Sequence, residues 1–319
     1  MRAPARRRRH DPLAPSEARS PAPFPSTVDL HTHSTRSDGV MTPADLVVAA
    51  AACGVTYMAL TDHDTLAGYR EVIASGAVPP SLTLLPGVEI NALVTRDLGL
   101  WEGELHILGF GMDPADEAFE AALARQRAAR RIRFERTVAR LREIGLGIDD
   151  QVATLDLTAD DALGRPTIGR ALIAAGHATS VEDAFRRLIG YGGPAYVQRE
   201  GMGPRDAIEA IRAAGGVPSL AHFSEAPSQM PLLRELAGIG LAGLEVHYIS
   251  FDRHTVELVG AVARQLGLIA TGGSDYHGDT STYAETHAAL NVPDTVAAVL
   301  RDAISSARPD GRSASSATG

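Results

Sequence analysis

Lysine is absent from this chain of 319 residues; all 30 of its basic residues are Arg. That absence excludes every chemistry resting on an ε-amine: a Schiff base, a P-loop Lys on nucleotide phosphates, or a carbamylated Lys bridging two metals. Cysteine is almost missing as well. Cys53 stands alone, so no intramolecular disulfide forms, a disulfide-stapled secreted scaffold is excluded, and cytoplasm is the default compartment. No apolar run approaches the ~18 residues of a membrane helix, and no membrane partner is expected. What remains for titratable chemistry is 11 His and 39 carboxylates, within a net charge of −9. The 45% hydrophobic and 22% charged fractions are ordinary for a globular protein. The Arg-, Ala- and Gly-heavy composition reads most simply as coding bias, so the missing Lys constrains mechanism without indicating one.

Residues 1–26 carry Arg2, Arg6 to Arg9 and Arg19 against Asp11 and Glu17, a net of +4. No apolar stretch follows Arg9 as a signal peptide would require, so the segment reads as a disordered basic tail, with a weak affinity for anions as the alternative. Residues 309–319 read as a second tail. Between Thr27 and Gly111 short apolar runs alternate with helical patterns: VDLHTH, PADLVVAAAACG, VTYMALTDHD, LTLLPGVEINAL and ELHILGF. Alternation of this kind predicts an α/β fold with parallel strands whose functional residues gather at the strands' carboxyl ends. The pattern breaks at Asp113-Pro114 and gives way to an Arg-rich helix from Asp116 to Gly145 and shorter helical stretches. It resumes with a helix at Pro204, then GVPSLAHF, GLEVHYI and LIATGGSD with helices between, and a last helix near Asp294 to Ala307. The expected organisation is one barrel-like domain, 27–111 with 204–308, interrupted by a helical insertion, 112–203.

The strand ends carry the chemistry. In His31-x-His33 two imidazoles share one face of a strand, because side chains alternate with period two. Asp38 follows in a Ser-Asp-Gly turn, from which a carboxylate can swing back. His63 ends the next run, Glu89 lies in the third and His106 in the fourth, and His222, Glu245, His247, Asp275 and His277 recur at the later strand ends. A single buried His is usually a satisfied core residue. Six His and three carboxylates at corresponding positions of successive strands point to divalent metal, since unpaired buried charges there would be costly and cations relieve that cost.

VDLHTHSTRSDG, LTDHD, GVEI, LHILGF, LAHF and TGGSDYHG resemble, in order and spacing, the motifs of the PHP (polymerase and histidinol phosphatase) superfamily of metal-dependent phosphoesterases. The resemblance covers about Val28 to Ala307. It implies a distorted (β/α)₇ barrel with a helical insertion domain and three divalent ions, Mn, Fe or Zn, on the carboxyl face of the strands. Carried over residue by residue, His31, His33, Glu89 and Asp275 would hold the first ion. Asp38, His63 and His277 would hold the second, and Glu89, His106 and His222 the third. Asp38, His63, Glu89 and His277 would frame the reaction, with a water shared between two ions as the nucleophile. Asp62 and Asp64, flanking His63, are expected to orient imidazole rather than ligate. Glu245 and His247 could either support ligands or deliver a proton to the leaving oxygen.

Substrate recognition is expected from the insertion. Gly164-Arg165-Pro166-Thr167 resembles the GRPH motif of the family's nucleotide-phosphatase branch, whose Arg is placed to grip a phosphate. Thr167 and Gly193 stand where that branch often has His and Lys, which leaves Arg165 more of the anion binding. Arg130 and Arg133 on the Arg-rich helix are the next candidates, and His254 a further one by position. The simpler reading of that helix is a solvated face paired with Glu117, Glu120, Glu135 and Glu143. His10, His177 and His287 look incidental. The expected activity is hydrolysis of a phosphate monoester of a small nucleotide, a nucleoside 3′,5′-bisphosphate giving the 5′-monophosphate, with trimming of short RNA from its 5′ end at the same site. Histidinol phosphate or a cyclic phosphodiester is the alternative, and a PHP module without catalysis the least favoured. No duplex DNA and no obligate protein partner are expected.

Overall fold

A computed structural model describes residues 25–94, 103–155 and 163–307. The expected tails lie outside these residues apart from Pro25 and Ser26. Ser26 already belongs to the fold: it is buried, and its hydroxyl bonds the Val28 and Val292 carbonyls.

The apolar runs form seven strands: β1 (Val28–Asp29), β2 (Tyr57–Leu60), β3 (Thr83–Val94), β4 (Gly103–Phe110), β5 (Val217–Leu220), β6 (Gly243–Tyr248) and β7 (Ile269–Gly273). They stand side by side in chain order. Helices fill the crossovers: α1 (Pro43–Ala52) and α2 (Ala67–Ser75) in the first half, then α3 (Glu117–Glu143), α4 (Asp149–Ala153), α5 (Arg165–Ala174) and α6 (Val181–Ala184) in the insertion. The last group is α7 (Pro204–Ala213), α8 (Met230–Gly238), α9 (Arg253–Leu266), α10 (Tyr283–His287) and α11 (Thr295–Ala307). Start signals are those the sequence shows. Pro43 opens α1 behind the Thr42 cap, and Asp116 caps α3 by accepting the Phe119 N–H at 2.8 Å.

The sheet curls until its edges meet. The Leu30 N–H reaches the Gly272 carbonyl at 3.2 Å, His33 reaches Tyr276 at 2.9 Å, and Asp275 reaches His31 at 2.7 Å. At this seam Gly273 is obligatory, because a Cβ there would stand 2.4 Å from both the backbone nitrogen and Cβ of His31. Asp29 staples the same seam from within. Its buried carboxylate accepts the Ser274 N–H at 2.9 Å, the Ser274 hydroxyl at 2.7 Å and the Tyr283 hydroxyl at 2.8 Å. The result is a nearly closed seven-stranded barrel surrounded by helices, as the α/β reading requires.

One strand departs from the expected parallel order. β4 pairs antiparallel with β3 on one side and with β5 on the other, while the remaining pairs are parallel. The reason is length: only residues 95–102 separate β3 from β4, and a parallel crossover needs roughly a dozen or more residues. The reversal sends the chain to the far end of the barrel before α3 begins. The 27 residues of α3, about 40 Å at 1.5 Å per residue, then carry it back along the barrel wall and past the strand ends. Phe119 and Leu123 in its first half join the barrel core, whereas Phe134, Val138 and Leu141 join a separate apolar cluster with Leu172 of α5 and Leu188 and Ile189.

Candidate metal centre

His31 and His33 leave β1 side by side, both fully buried, with ring centroids 5.2 Å apart. Their Nε2 atoms converge on the same two carboxylates. Nε2 of His31 lies 3.3 Å from Glu89 Oε2 and 3.3 Å from Asp275 Oδ1, and Nε2 of His33 lies 3.2 Å from each. Asp38, on the turn after β1, stands 3.6 Å from His63 Nε2, 3.3 Å from His277 Nε2 and 3.8 Å from His33 Nδ1. On its other oxygen Glu89 meets His106 Nδ1 at 2.7 Å and His222 Nε2 at 3.3 Å. The nine residues thus form three groups whose donor atoms lie within 4.8 Å of one another. They are His31, His33, Glu89 and Asp275; His33, Asp38, His63 and His277; and Glu89, His106 and His222. The sequence-based grouping differs in one member, since His33 also reaches the second group.

Charge in this cluster is settled by mutual contact. Burial alone would raise the carboxyl groups of Asp38 and Glu89, but the imidazoles around them hold both well below the usual carboxylate range. Asp275 is likewise held ionised, chiefly by His31 and His277 against the cost of burial. Burial pushes His63 down to about 3, whereas the partly buried His277 is carried up to about 10 by Asp38 and Asp275.

The donors fit divalent cations. His31 Nε2, His33 Nε2, His63 Nδ1 and Asp38 Oδ1 are buried and make no hydrogen bond. Buried polar atoms are rarely left so, and four converging lone pairs without partners are what a cation would satisfy. Imidazole and carboxylate without thiolate is a donor set for Mn, Fe or Zn. Backbone strain marks the same place. Asp64, His222 and Asp275 adopt left-handed conformations, with φ of 52°, 31° and 49°, just past strand ends.

The surrounding residues divide differently from the sequence reading. Glu245 is fully buried, accepts the His222 N–H at 2.7 Å and lies 3.1 Å from His31 Nδ1. It therefore fixes the imidazole so that Nε2 faces inward, with one carboxylate oxygen on each of these two partners. His247 does not share that position, because a register shift between Glu245 and His247 breaks the period-two expectation. Asp62 does not orient His63. It binds the Ser34 N–H at 2.8 Å, the Ser34 hydroxyl at 2.7 Å and the Ser37 hydroxyl at 2.6 Å, and so holds the turn between His33 and Asp38. Asp64 pairs with Arg130 and Arg199. Three supports were not found by sequence reasoning. The Asn91 amide meets His106 Nε2 at 2.8 Å, Tyr248 donates to Asp275 Oδ2 at 3.1 Å, and Asp29 ties the seam. Only Asn91 left a signal, two residues beyond Glu89 on the same strand face.

Beside the three groups lies a cationic pocket lined by Arg130, Arg133, Phe134, Leu163, Gly164, Arg165 and Ile168. It opens against the centre, since a Cβ on Gly164 would lie 3.1 Å from Asp38 Oδ2. The Arg-rich helix is thus not wholly a solvated face. Arg140 pairs with Glu143 in solvent as expected, but Arg127, Arg130 and Arg133 are buried against the barrel. Arg133 and Arg165 share Glu104, at 3.1 and 3.6 Å, and Arg130 and Arg199 share Asp64. Four guanidinium groups face two carboxylates, a surplus of two positive charges. Burial pulls the Arg133 and Arg165 guanidinium groups below their ordinary range, and neighbouring Arg charges add to the effect. His254 is exposed at the start of α9, His177 meets the Gly147 carbonyl, and His287 is a buried structural residue bonded to Ser26.

Among known proteins, the PHP domain family model matches residues 29–134. A 5′-3′ exoribonuclease of Haemophilus influenzae is 33% identical over 78% of this chain and 89% of its own length. A 3′,5′-nucleoside bisphosphate phosphatase of Chromobacterium violaceum is 30% identical over 79% of this chain and 87% of its own. Among solved structures, a chain from Bifidobacterium adolescentis described as a metal-dependent phosphoesterase superposes with a TM-score of 0.74 at 31% identity, covering 88% of this chain and 98% of that one. With its barrel, its His and carboxylate groups and these relatives, this chain belongs to the PHP family of metal-dependent phosphoesterases.

Proposed function

We propose that this enzyme hydrolyses a phosphate ester of a small nucleotide that carries a second phosphate, taking one phosphate from nucleoside 3′,5′-bisphosphates and, by the same attack on a phosphodiester, trimming short RNA from its 5′ end. The observation that carries this reading is the pairing of the three donor groups with a pocket walled by Arg130, Arg133 and Arg165, whose three positive charges exceed the two negative charges of Asp64 and Glu104 and so suit a second phosphate. The names of the Haemophilus and Chromobacterium relatives support the nucleotide and RNA classes.

Three divalent ions, Mn, Fe or Zn, are assigned to the three groups, with His31, His33, Glu89 and Asp275 holding the first. Asp38, His63 and His277 hold the second, with His33 at its edge, and Glu89, His106 and His222 hold the third. When bound, such ions neutralise phosphoryl oxygens and make water more acidic. The protein's own residues do the rest. Glu245 orients the His31 imidazole, Asn91 holds the His106 ring in place, Tyr248 restrains Asp275, and Arg165 with Arg133 holds the non-reacting phosphate in a bidentate grip once Glu104 yields it. A screen of phosphorylated metabolites and short RNAs with Mn supplied tests the proposal. Preference for doubly phosphorylated nucleotides is expected, and equal turnover of singly phosphorylated sugars and aryl phosphates would overturn it.

A further inference from the structure

The segment after α6 is built to hold an aromatic ring in solvent beside the cationic pocket. A single π-helical turn, Phe185–Ile189, ends in a Gly-rich bend. Such turns recur at functional sites. Tyr191 on that bend is 73% exposed, the most exposed of the large apolar side chains among the described residues. Its ring meets Tyr196 edge to face at a centroid distance of 5.5 Å. Tyr196 in turn lies under Arg133, whose guanidinium carbon is 6.0 Å from the ring centroid, and within electrostatic reach of Arg165. A continuous ridge therefore runs from the pocket walls, Arg165 and Arg133, through Tyr196 to Tyr191.

The bend is rigid. Gly193 donates to the Gly190 carbonyl at 2.8 Å, Ala195 to Leu188 at 2.9 Å and Tyr196 to Gly193 at 3.1 Å, while Arg140 and Arg133 of α3 hold the Pro194 and Val197 carbonyls at 3.1 and 3.0 Å. Gly193, which stands where the family's nucleotide branch often has Lys, has no room for any side chain, because a Cβ would stand 2.4 Å from the Leu188 carbonyl oxygen. Leaving a tyrosine face to water on an otherwise fixed bend costs apolar exposure and gains nothing for folding. A planar π-system as its occupant removes that cost, and the anion pocket beside it selects a planar system that carries phosphate.

We infer that Tyr191, backed by Tyr196, is a stacking platform for the nucleobase of the nucleotide whose non-reacting phosphate sits on Arg165 and Arg133. This rests on the nucleotide reading and adds to it a determinant of base over no base. Stacking of a base on an aromatic side chain is sequence-tolerant, because every base has a π-face, so purines are favoured over pyrimidines only modestly.

The test is steady-state kinetics of the full chain, loaded with Mn, on a nucleoside 3′,5′-bisphosphate and on the base-free pentose bisphosphate. Wild type is expected to show a KM about tenfold lower for the nucleoside form. Tyr191→Ala should erase that difference and Tyr191→Trp should restore it. Arg165→Ala should raise KM for both substrates together. Equal KM for the two substrates in wild type, or an unchanged ratio in Tyr191→Ala, overturns the platform while leaving the phosphatase reading intact. Failure of wild type on both bisphosphates, with turnover of other phosphate esters, overturns the nucleotide reading and the platform with it. Sedimentation of wild type and Tyr191→Ala completes the test: a dimer lost in the variant, with the KM ratio unchanged, would give the exposed ring to a second copy of the chain instead.

Discussion

At the scale of single residues, Glu89 bears the most, because its two oxygens serve two donor groups. Glu89→Gln should lose more metal than His106→Ala, measured by mass spectrometry of the purified protein, and activity should fall by about two orders of magnitude or more. Arg165→Ala should raise KM for a nucleoside bisphosphate well above its effect on a simple aryl phosphate; equal effects would remove Arg165 from substrate binding. Glu104 supplies a pH signature. Burial would raise its carboxyl, but Arg199, Arg165 and Arg133 outweigh burial and hold it well below the usual range. A depressed folded-state value contributes stability that is complete above the unfolded value of 4.5 and is lost as pH falls below it. Denaturation midpoints of wild type should therefore fall more steeply than those of Glu104→Gln between about pH 5 and about pH 3. Parallel slopes would mean that the Arg cluster does not stabilise the ionised form. The ligand candidates were legible in the sequence because ligation imposes residue type and strand periodicity imposes spacing, as His31-x-His33 shows. Tyr248 and Asp29 were not legible, since a Tyr or a buried Asp carries no spacing rule and their partners are remote in the chain. Asp62 and Asp64 misled for a related reason: adjacency to His63 says nothing about which neighbour a carboxylate turns toward.

At the scale of elements, α3 joins two cores. Phe119 packs with the barrel and Phe134 with the insertion, so the two substitutions should separate functions that one helix connects. Phe134→Ala, a loss of about 3–5 kcal/mol, should loosen the insertion and raise KM while metal content holds. Phe119→Ala, of similar cost, should instead lower the melting temperature of the whole barrel. Retained KM in Phe134→Ala would show that the pocket walls do not depend on the insertion core. The apolar strands of the second half were legible, and so were the start of α7 at Pro204 and the last helix, whose expected bounds of Asp294 to Ala307 fall within a residue of α11. The direction of β4 was not, because periodicity reports a strand and is blind to its sense. The length of the 95–102 connection held that information, since a hairpin fits it and a crossover does not. The inward turn of Arg127, Arg130 and Arg133 was equally hidden: an Arg-rich face reads as solvated until a carboxylate-bearing strand mouth is placed beneath it.

At the scale of the whole molecule, the barrel mouth concentrates carboxylates and imidazoles that only a folded chain brings together, so bound metal favours the folded state by mass action. Chelation should lower the melting temperature and Mn or Zn should restore it, rising with metal concentration; a transition indifferent to metal would place the ions elsewhere. Two of the three groups also draw on both ends of the described chain. His31, His33 and Asp38 need Asp275 and His277, and Asp29 needs Ser274, across 245 positions of chain. During synthesis, at about 5–20 residues per second, the first strand therefore waits roughly 12–50 s for the partners that will neutralise it. Until then these two donor groups are only half built, and they are complete only once His277 has emerged. The supply of metal while the last strand emerges is therefore expected to weigh, beside the finished centre's preference, on which ion these two groups take up.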